Sequence, residues 1–532
     1  MVSLLPSSVH RIIYVTGLAF LSLGIIYSCP VMSMSIMLLG ANWFMELNYR
    51  ARIQLFLQNP AALILSAVFF MHLLGLFWTT DIKYGIDDVR TKIPLFVLPF
   101  IISTTPRLSK KHLHLILALF ITGVTVTTLI SMSILKGLLP ITVHDIRDIS
   151  PFVSHIRLSL MICLCIVILG SYIVEKKSLL FRIACSLLIF WLIVFMAVLE
   201  SLTGLSILAV VSLVLGLAYF SSHKPRLGRP VLAVIAIVLA IASFHVYSIS
   251  QTFVPKISIH SLVPEKYTPS GHLYNNDTTF PVVENGSFVY FGVCYEELKT
   301  GWEQRSKRPF YENDLKGNSI CQTLLRYMAS KGILKKNSET IASLSQEDIQ
   351  NVENGVTNYK YRNVSSLNAR IYEAIWEIDV YTKGSNASGH SITMRFEFWR
   401  AGLHILKKNL FWGIGTGDVK QAFQDQYIID HSKLDERWRL RGHNQYLAIA
   451  IAFGLVGLLA FLVSLVFPLL YKNMYRDLTY LAFWIILAVS FLTEDTLETQ
   501  AGVTFYALFN ALFLFAQPET SETKSSQKIV AD

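Results

Sequence analysis

Between residues 388 and 460 the chain places arginine, glycine and histidine at spacings that can hold an anion and move a proton. Arg395 and Trp399 stand one helical turn apart in Met394-Arg395-Phe396-Glu397-Phe398-Trp399, with Arg400 directly after them. Ile392, Phe396, Trp399, Leu403 and Leu406 form an apolar stripe that predicts a helix over Ser391–Lys408. Arg395 falls at the edge of that stripe, whereas a solvated charge prefers the opposite face, so it is expected to point into a groove. The bland alternative is an arginine snorkelling at a membrane surface. Next comes Gly413-Ile414-Gly415-Thr416-Gly417-Asp418, a turn in which the N–H groups of Gly415 and Gly417 can approach an anionic group closely. It lacks both the preceding strand and the spacing of a dinucleotide or Walker loop. A basic run, Arg437, Arg439 and Arg441, leads into Gly442-His443-Asn444-Gln445-Tyr446 at the start of an apolar helix. A helix N-terminus favours anions, and imidazole is the side chain suited to proton transfer near neutral pH. His443 and Arg395 are therefore the candidate catalytic pair, with Arg400, Arg441, Asn444, Gly415 and Gly417 as candidate substrate-binding positions.

The elements that must carry these residues are membrane helices. The 532 residues are 53% hydrophobic and only 15% charged, where a soluble chain carries about 25% charged residues. Disorder, collagen and a small disulfide scaffold are excluded by the same composition. About twelve apolar segments approach the length of a span, with Val31–Met45 and the proline-bearing Ile93–Ile102 the shortest. The first is read as an uncleaved span, because a second follows at once and no A-x-A site is present. With both ends cytoplasmic, inside loops hold sixteen Lys/Arg (Lys176, Lys177, Lys224, Lys524 and Lys528 among them) against six in the short outside loops. The formal charge of +10 is then mostly topological: the hydrophilic block 247–445 holds 24 Lys/Arg against 21 Asp/Glu, and no nucleic-acid surface is implied.

Four divisions follow: 1–246, a membrane region of about nine spans; 247–387, an extracytoplasmic insert; 388–445, the segment carrying the candidate site; and 446–532, about three further spans. The insert reads as mixed α/β, with a strand over Ser287–Tyr295 and helices over Glu296–Arg305, Cys321–Lys331, Ser345–Val352 and Ser366–Tyr381. Ser345 three residues before Asp348 has the spacing of a capping box. Cys294 and Cys321 either pair, in an oxidising compartment, or stay as free thiols. Cys163 and Cys165 lie within a span, where a metal site is not expected, and no other divalent-metal cluster is evident.

Taken in order, the Arg395–Trp399 spacing, Lys407-Lys408-Asn409-Leu410-Phe411-Trp412-Gly413-Ile414-Gly415, His443-Asn444-Gln445-Tyr446-Leu447 and Gly454-Leu455-Val456-Gly457 resemble the O-antigen ligase and polymerase family. The resemblance covers about Ser388–Ala460. Leu410 replaces a frequent proline, and Leu202, in Glu200-Ser201-Leu202, stands where the family has a mid-chain arginine; Arg157 is the substitute suggested here, with Arg370, Arg400 and Arg441 as rivals.

The resemblance implies an all-α polytopic membrane protein of GT-C-like glycosyltransferase architecture. It further implies a bacterial inner-membrane enzyme with its active face periplasmic, taking a glycan from undecaprenyl pyrophosphate. The acceptor is a lipid A core sugar in a ligase, another glycan in a polymerase, or a protein hydroxyl in an oligosaccharyltransferase. His443 and Arg395 match the family's essential histidine and one essential arginine. Arginine binds phosphate oxygens bidentately and histidine can serve as base, so no cofactor or metal is called for. Inversion is expected, since no paired nucleophilic carboxylate is evident. A transporter or flippase would place ionisable groups within its spans, where only His72 is conspicuous. A non-catalytic scaffold leaves the Arg395-to-His443 series unexplained.

Overall fold

The computed structural model describes residues 4–141, 146–175, 178–223, 225–362 and 366–518. Lys176, Lys177, Lys224, Lys524 and Lys528, counted above for orientation, lie outside them. The chain divides into two compact units: Met1–Pro140 with Ile149–His223 and Arg395–Asp532, and Ile141–Asp148 with Lys224–Met394. The second unit thus takes in a short early segment as well as the long stretch that ends at Met394.

The architecture is helical. Among the described residues seven helices are long and apolar enough to cross a membrane, and four shorter apolar helices accompany them: Cys29–Met45, Leu202–Ala218, Leu478–Ser490 and Gln500–Ala516. By length, seven of the apolar segments read from the sequence form helices that could cross a membrane. Pro94–Thr104, the proline-bearing segment, has 11 residues, about half of the roughly 30 Å hydrocarbon thickness at 1.5 Å per residue.

In the first unit, helix starts follow local chemistry. Asn59 caps Pro60–Leu74 by accepting from Ala62 N, with proline at the first helical position. Asn444 caps Gln445–Leu470 by accepting from Leu447 N at 2.9 Å. That long helix is broken at Gly454, whose φ of 65° and ψ of −166° are open to glycine. The glycine turn mends the break: Ile414 N donates to Ile451 O at 3.0 Å, Gly415 N to Ala452 O at 2.9 Å, and Leu455 N to Leu410 O at 2.8 Å.

The second unit packs Trp302, Phe310, Leu324, Leu325, Tyr327 and their neighbours into its core. Helices occur at Tyr295–Glu303, Ile320–Ser330, Gln346–Glu353 and Ser366–Thr382, close to the expected spans. The capping box is present in both directions between Ser345 and Asp348. The strand expected over Ser287–Tyr295 shrinks to Ser287–Phe288 paired antiparallel with Val283–Glu284, so the insert is helical and irregular rather than mixed α/β. Beyond the pair the backbone bonds to separate segments: Val293 exchanges bonds with Asn275, and Cys294 N donates to Lys336 O at 2.9 Å. Cys294 and Cys321 are both buried free thiols.

Candidate active site

The Arg-x-x-x-Trp spacing places two anchors on one side of the Thr393–Lys408 helix. Residues four apart share a face. Arg395 Nη2 donates to Glu494 Oε1 at 2.8 Å and its Nε to Thr493 O at 3.3 Å. One turn on, Trp399 Nε1 donates to Gly442 O at 2.9 Å, fixing the residue before His443. The stripe expected for this helix is displaced: Phe398, Ala401 and Ile405 are buried, whereas Phe396 and Leu403 are exposed with Phe411 and Trp412 beyond them. Exposed apolar side chains suit a membrane interface, where apolar periodicity no longer marks the protein-facing side.

His443 adopts a left-handed backbone, φ 42°, a costly conformation for a residue with a side chain. Its Nδ1 stands 3.5 Å from Asp495 Oδ1 and 4.0 Å from Glu494 Oε2. Among the described residues no well-formed hydrogen bond satisfies this nitrogen, and the Phe398 ring lies 5.7 Å from the imidazole. The two residues after His443 bind the strip that carries these carboxylates. Asn444 Nδ2 donates to Leu492 O at 3.0 Å, and Gln445 exchanges bonds with Phe491, Leu497 and Glu498. Tyr446 Oη donates to Ala488 O at 2.9 Å. His443 and the Glu494-Asp495 pair are thus held against one another by backbone-directed bonds.

Burial pushes the Glu494 carboxyl above its usual range, against the opposing pull of Arg395 and His443. Burial would also raise Asp495, but the adjacent imidazole outweighs it and holds that carboxyl below its usual range. The result is a base with a carboxylate at one edge, next to a guanidinium whose charge is partly matched. Neither acidic residue was singled out in the sequence; they lie about fifty positions beyond His443, in a Thr-Glu-Asp-Thr stretch that carries no motif of its own.

The other candidates are placed differently. Arg441 Nη1 donates to Glu498 Oε2 at 3.1 Å, beside the His443 strip. Asn444 is a helix cap through Oδ1 and a clamp on Leu492 O through Nδ2. The N–H groups of Gly415 and Gly417 are likewise taken, the latter by Thr79 Oγ1 at 2.7 Å, so the turn is no anion cradle. Its glycines serve close packing: a Cβ on Gly417 would lie 2.1 Å from Asp81 O. Arg400 is more than half exposed, 3.9 Å from Glu397. Arg157 occupies the first turn of His155–Glu175 and makes no ion pair with Glu494, Asp495 or Glu498 among the described residues. Arg370, a rival for the second arginine, is bound to Glu373, Glu377 and Ser391 in the other unit.

His443, Glu494 and Asp495 also form a grouping whose ligand atoms all lie within 4.8 Å, so the expectation of no such cluster is corrected. Arg395 already holds one Glu494 oxygen, and a guanidinium against a ligand carboxylate opposes a divalent ion electrostatically.

Residues 340–462 match the family model described as O-Antigen ligase. The chain carries an O-antigen ligase domain. Arg395, the glycine turn, His443 and Gly454 fall inside the matched residues, whereas Glu494, Asp495 and Glu498 lie beyond them. No curated protein matches the chain. Together with the apolar helices, the O-antigen ligase domain marks an integral membrane protein of broadly ligase or polymerase type, acting on a polysaccharide or lipid-linked glycan.

Proposed function

We propose that the protein is a glycosyltransferase that moves a glycan from undecaprenyl pyrophosphate to an acceptor hydroxyl, with a lipid A core sugar as the favoured acceptor. The reading places it in the bacterial inner membrane with His443 at the periplasmic face. The observation that carries it is the convergence of His443, Asp495 and the Arg395–Glu494 pair in one half-buried cluster.

With Nδ1 turned toward Asp495, Nε2 is the nitrogen available to take the acceptor's proton. The acceptor oxygen bonds to the anomeric carbon as the bond from that carbon to the diphosphate oxygen breaks, with inversion. The proton ends on Nε2, and Asp495 stabilises the imidazolium, the task an orienting carboxylate performs beside a histidine base. Arg395 and Arg441 supply cationic charge for the departing diphosphate, a type of term that is often the largest in catalysis. Arg157 is the remaining cation proposed. Ser159, two residues on, donates to Ser201 at 2.7 Å, immediately before Leu202, so Arg157 starts the helix neighbouring the position where the family arginine would stand. No step requires a metal, and full activity in EDTA is the expected result.

The test is lipopolysaccharide and glycoprotein profiling of a deletion strain complemented with wild type, His443→Ala or Arg395→Ala. Loss of polymeric glycan from lipid A core, with lipid-linked polymer accumulating, is the expected outcome. Single repeat units on the core would mean a polymerase, and altered glycoproteins alone an oligosaccharyltransferase. Full complementation by both variants would sink the catalytic reading in favour of transport or a scaffold.

A further inference from the structure

The short helix Ile82–Lys92 lies far from the matched residues in sequence, yet its start is fastened to the glycine turn and its end to the strip that builds the His443 cluster. At its start the Asp418 carboxylate accepts from Thr80 N at 2.8 and 3.1 Å and from Asp81 N at 2.8 Å. Gly85 packs beside the backbone of Gly417, where an added Cβ would stand at 3.5 Å in ordinary contact, and 2.6 Å from the Leu76 side chain. At its end Lys92 is wholly buried and donates to Asp88 at 2.5 Å and to Glu498 at 3.2 Å. Glu498 also accepts from Arg441 at 3.1 Å and from Gln445 Nε2 at 3.4 Å. It closes the turn Thr496–Glu498, which follows Asp495 directly, and Leu497 N in that turn donates to Gln445 Oε1 at 2.7 Å.

Two cations and two carboxylates therefore share one buried cluster. Removing charges from water costs several kcal/mol per ion, and well-packed apolar residues of similar volume often do as well or better for stability. The best-attested use of such a cluster is to enforce one geometry. Burial would raise Glu498, but Lys92 and Arg441 hold it well below the usual carboxylate range, so it stays an anion. Asp88 is instead pushed up by burial, with the Glu498 anion adding to the rise against the opposing pull of Lys92 and Arg441. Glu498 is the hub, and the Ile82–Lys92 helix is the strut that delivers its ammonium partner.

We propose that Lys92 and Glu498 are positioning residues, locking the 494–498 strip so that Asp495 stays at the Nδ1 edge of His443 and Arg441 stays beside it. This rests on the glycosyl-transfer reading for its consequence in catalysis, but the geometric claim stands apart from it.

The test uses the full-length protein in lipid nanodiscs and two measurements. One is the pH dependence of His443 modification by diethyl pyrocarbonate, read by mass spectrometry. The other is kcat and donor KM for transfer from a polyprenyl-pyrophosphate glycan. The groups facing His443 are Asp495, Glu494 and, through Glu494, Arg395. Lys92→Met and Glu498→Gln should lower the modification midpoint by about half a pH unit or more, as the imidazolium loses Asp495. They should also lower kcat about tenfold or more, with donor KM changing less than kcat. Arg90→Gln, an exposed charge on the same helix, should change neither. If Lys92→Met does not fold, the double variant Asp88→Asn/Lys92→Met removes the pair together, a change that buried pairs tolerate better, and is read instead. Folded variants with the wild-type His443 midpoint and wild-type kcat overturn the proposal. Shifted midpoints in a protein whose wild type transfers no glycan uphold the positioning network and remove the glycosyl-transfer reading.

Discussion

Arg395 and Glu494 form an ion pair at 2.8 Å, and the carboxylate's second oxygen stands 4.0 Å from the His443 imidazole. A cation suited to a diphosphate thus waits with a counter-ion that burial already makes a poor anion. On the proposed glycosyl-transfer reading, an incoming diphosphate would compete with the Glu494 carboxylate for this guanidinium, and would do so as a bidentate ligand. Arg395→Lys keeps the charge and loses the planar fork, so transfer should fall nearly as far as in Arg395→Ala, about 10²–10³-fold in kcat/KM. Steady-state transfer with purified lipid-linked donor checks it; a lysine variant near wild type would show that charge alone is needed.

Glu494→Gln separates the two roles of that carboxylate. The neutral amide withdraws the charge that Arg395 pairs with, so donor KM should drop several-fold while kcat stays within about tenfold. A rise in donor KM would mean that Glu494 orients the guanidinium more than it competes for it.

Asp495 is expected to matter through His443. Asp495→Asn keeps the size but withdraws the charge that stabilises an imidazolium, so kcat should fall by about 10²-fold or more, within the general-base range of 10²–10⁴. His443→Ala should fall to the same floor, and adding Asp495→Asn to it should cost little more, since groups acting as one unit are not additive. Independent, multiplicative losses in the double variant would separate the two residues.

The sequence made His443, Arg395 and the helix between 393 and 408 legible because their signals are local: residue type, a one-turn spacing and an apolar period. What it concealed is tertiary. Phe396 and Leu403 are exposed and Phe398 and Ala401 buried, an arrangement that suits a membrane interface, where the stripe no longer reports the inside. Gly415 and Gly417 were legible as a turn, but the same open N–H groups serve an anion or a neighbouring helix, and only the partners Ala452 and Thr79 decide. Lys92 reads as a loop charge, since lysine is rarely buried unless paired; its partner Glu498 lies some four hundred positions away. The insert's strand is shortened for a related reason, since the backbone at Gly292–Cys294 pairs with Asn275 and Lys336 from separate segments.

The two glycine contacts around the helix break should be intolerant of a methyl group. Gly417→Ala places a Cβ 2.1 Å from Asp81 O, and Gly454→Ala places one 2.1 Å from Phe411 O on a backbone of φ 65°. Each should cost at least about 1–3 kcal/mol, the range for forcing atoms into a packed interior. Gly170→Ala, in the helix His155–Glu175 with nothing within 4 Å of the added carbon, should instead be neutral or stabilising by up to about 1 kcal/mol. Thermal unfolding of detergent-purified protein ranks the three, and equal melting temperatures would remove the packing role assigned to the turn.

The unit from 224 to 394 should be acid-labile, for reasons set by two carboxylates. Glu297 accepts from Thr268 Oγ1 at 2.5 Å and Ser338 N at 2.8 Å, which outweigh its burial and pull its pKa down to about 2. Asp348 is likewise held at about 2 against burial, by Lys331, Tyr327 and its capping partner Ser345. Both values lie below those of the unfolded chain, so the folded state binds fewer protons. Their contribution is then complete above about pH 4.5 and is lost as pH falls toward 2. Each is worth on the order of 2–3 kcal/mol. Pulse hydrogen exchange at neutral pH, after incubation at graded acid pH, should show peptides spanning 293–353 losing protection across that window. Glu297→Gln and Asp348→Asn should each be less protected at pH 7 and lose less on acidification. A variant that starts as stable as wild type and keeps the full acid loss would assign the lability to other groups.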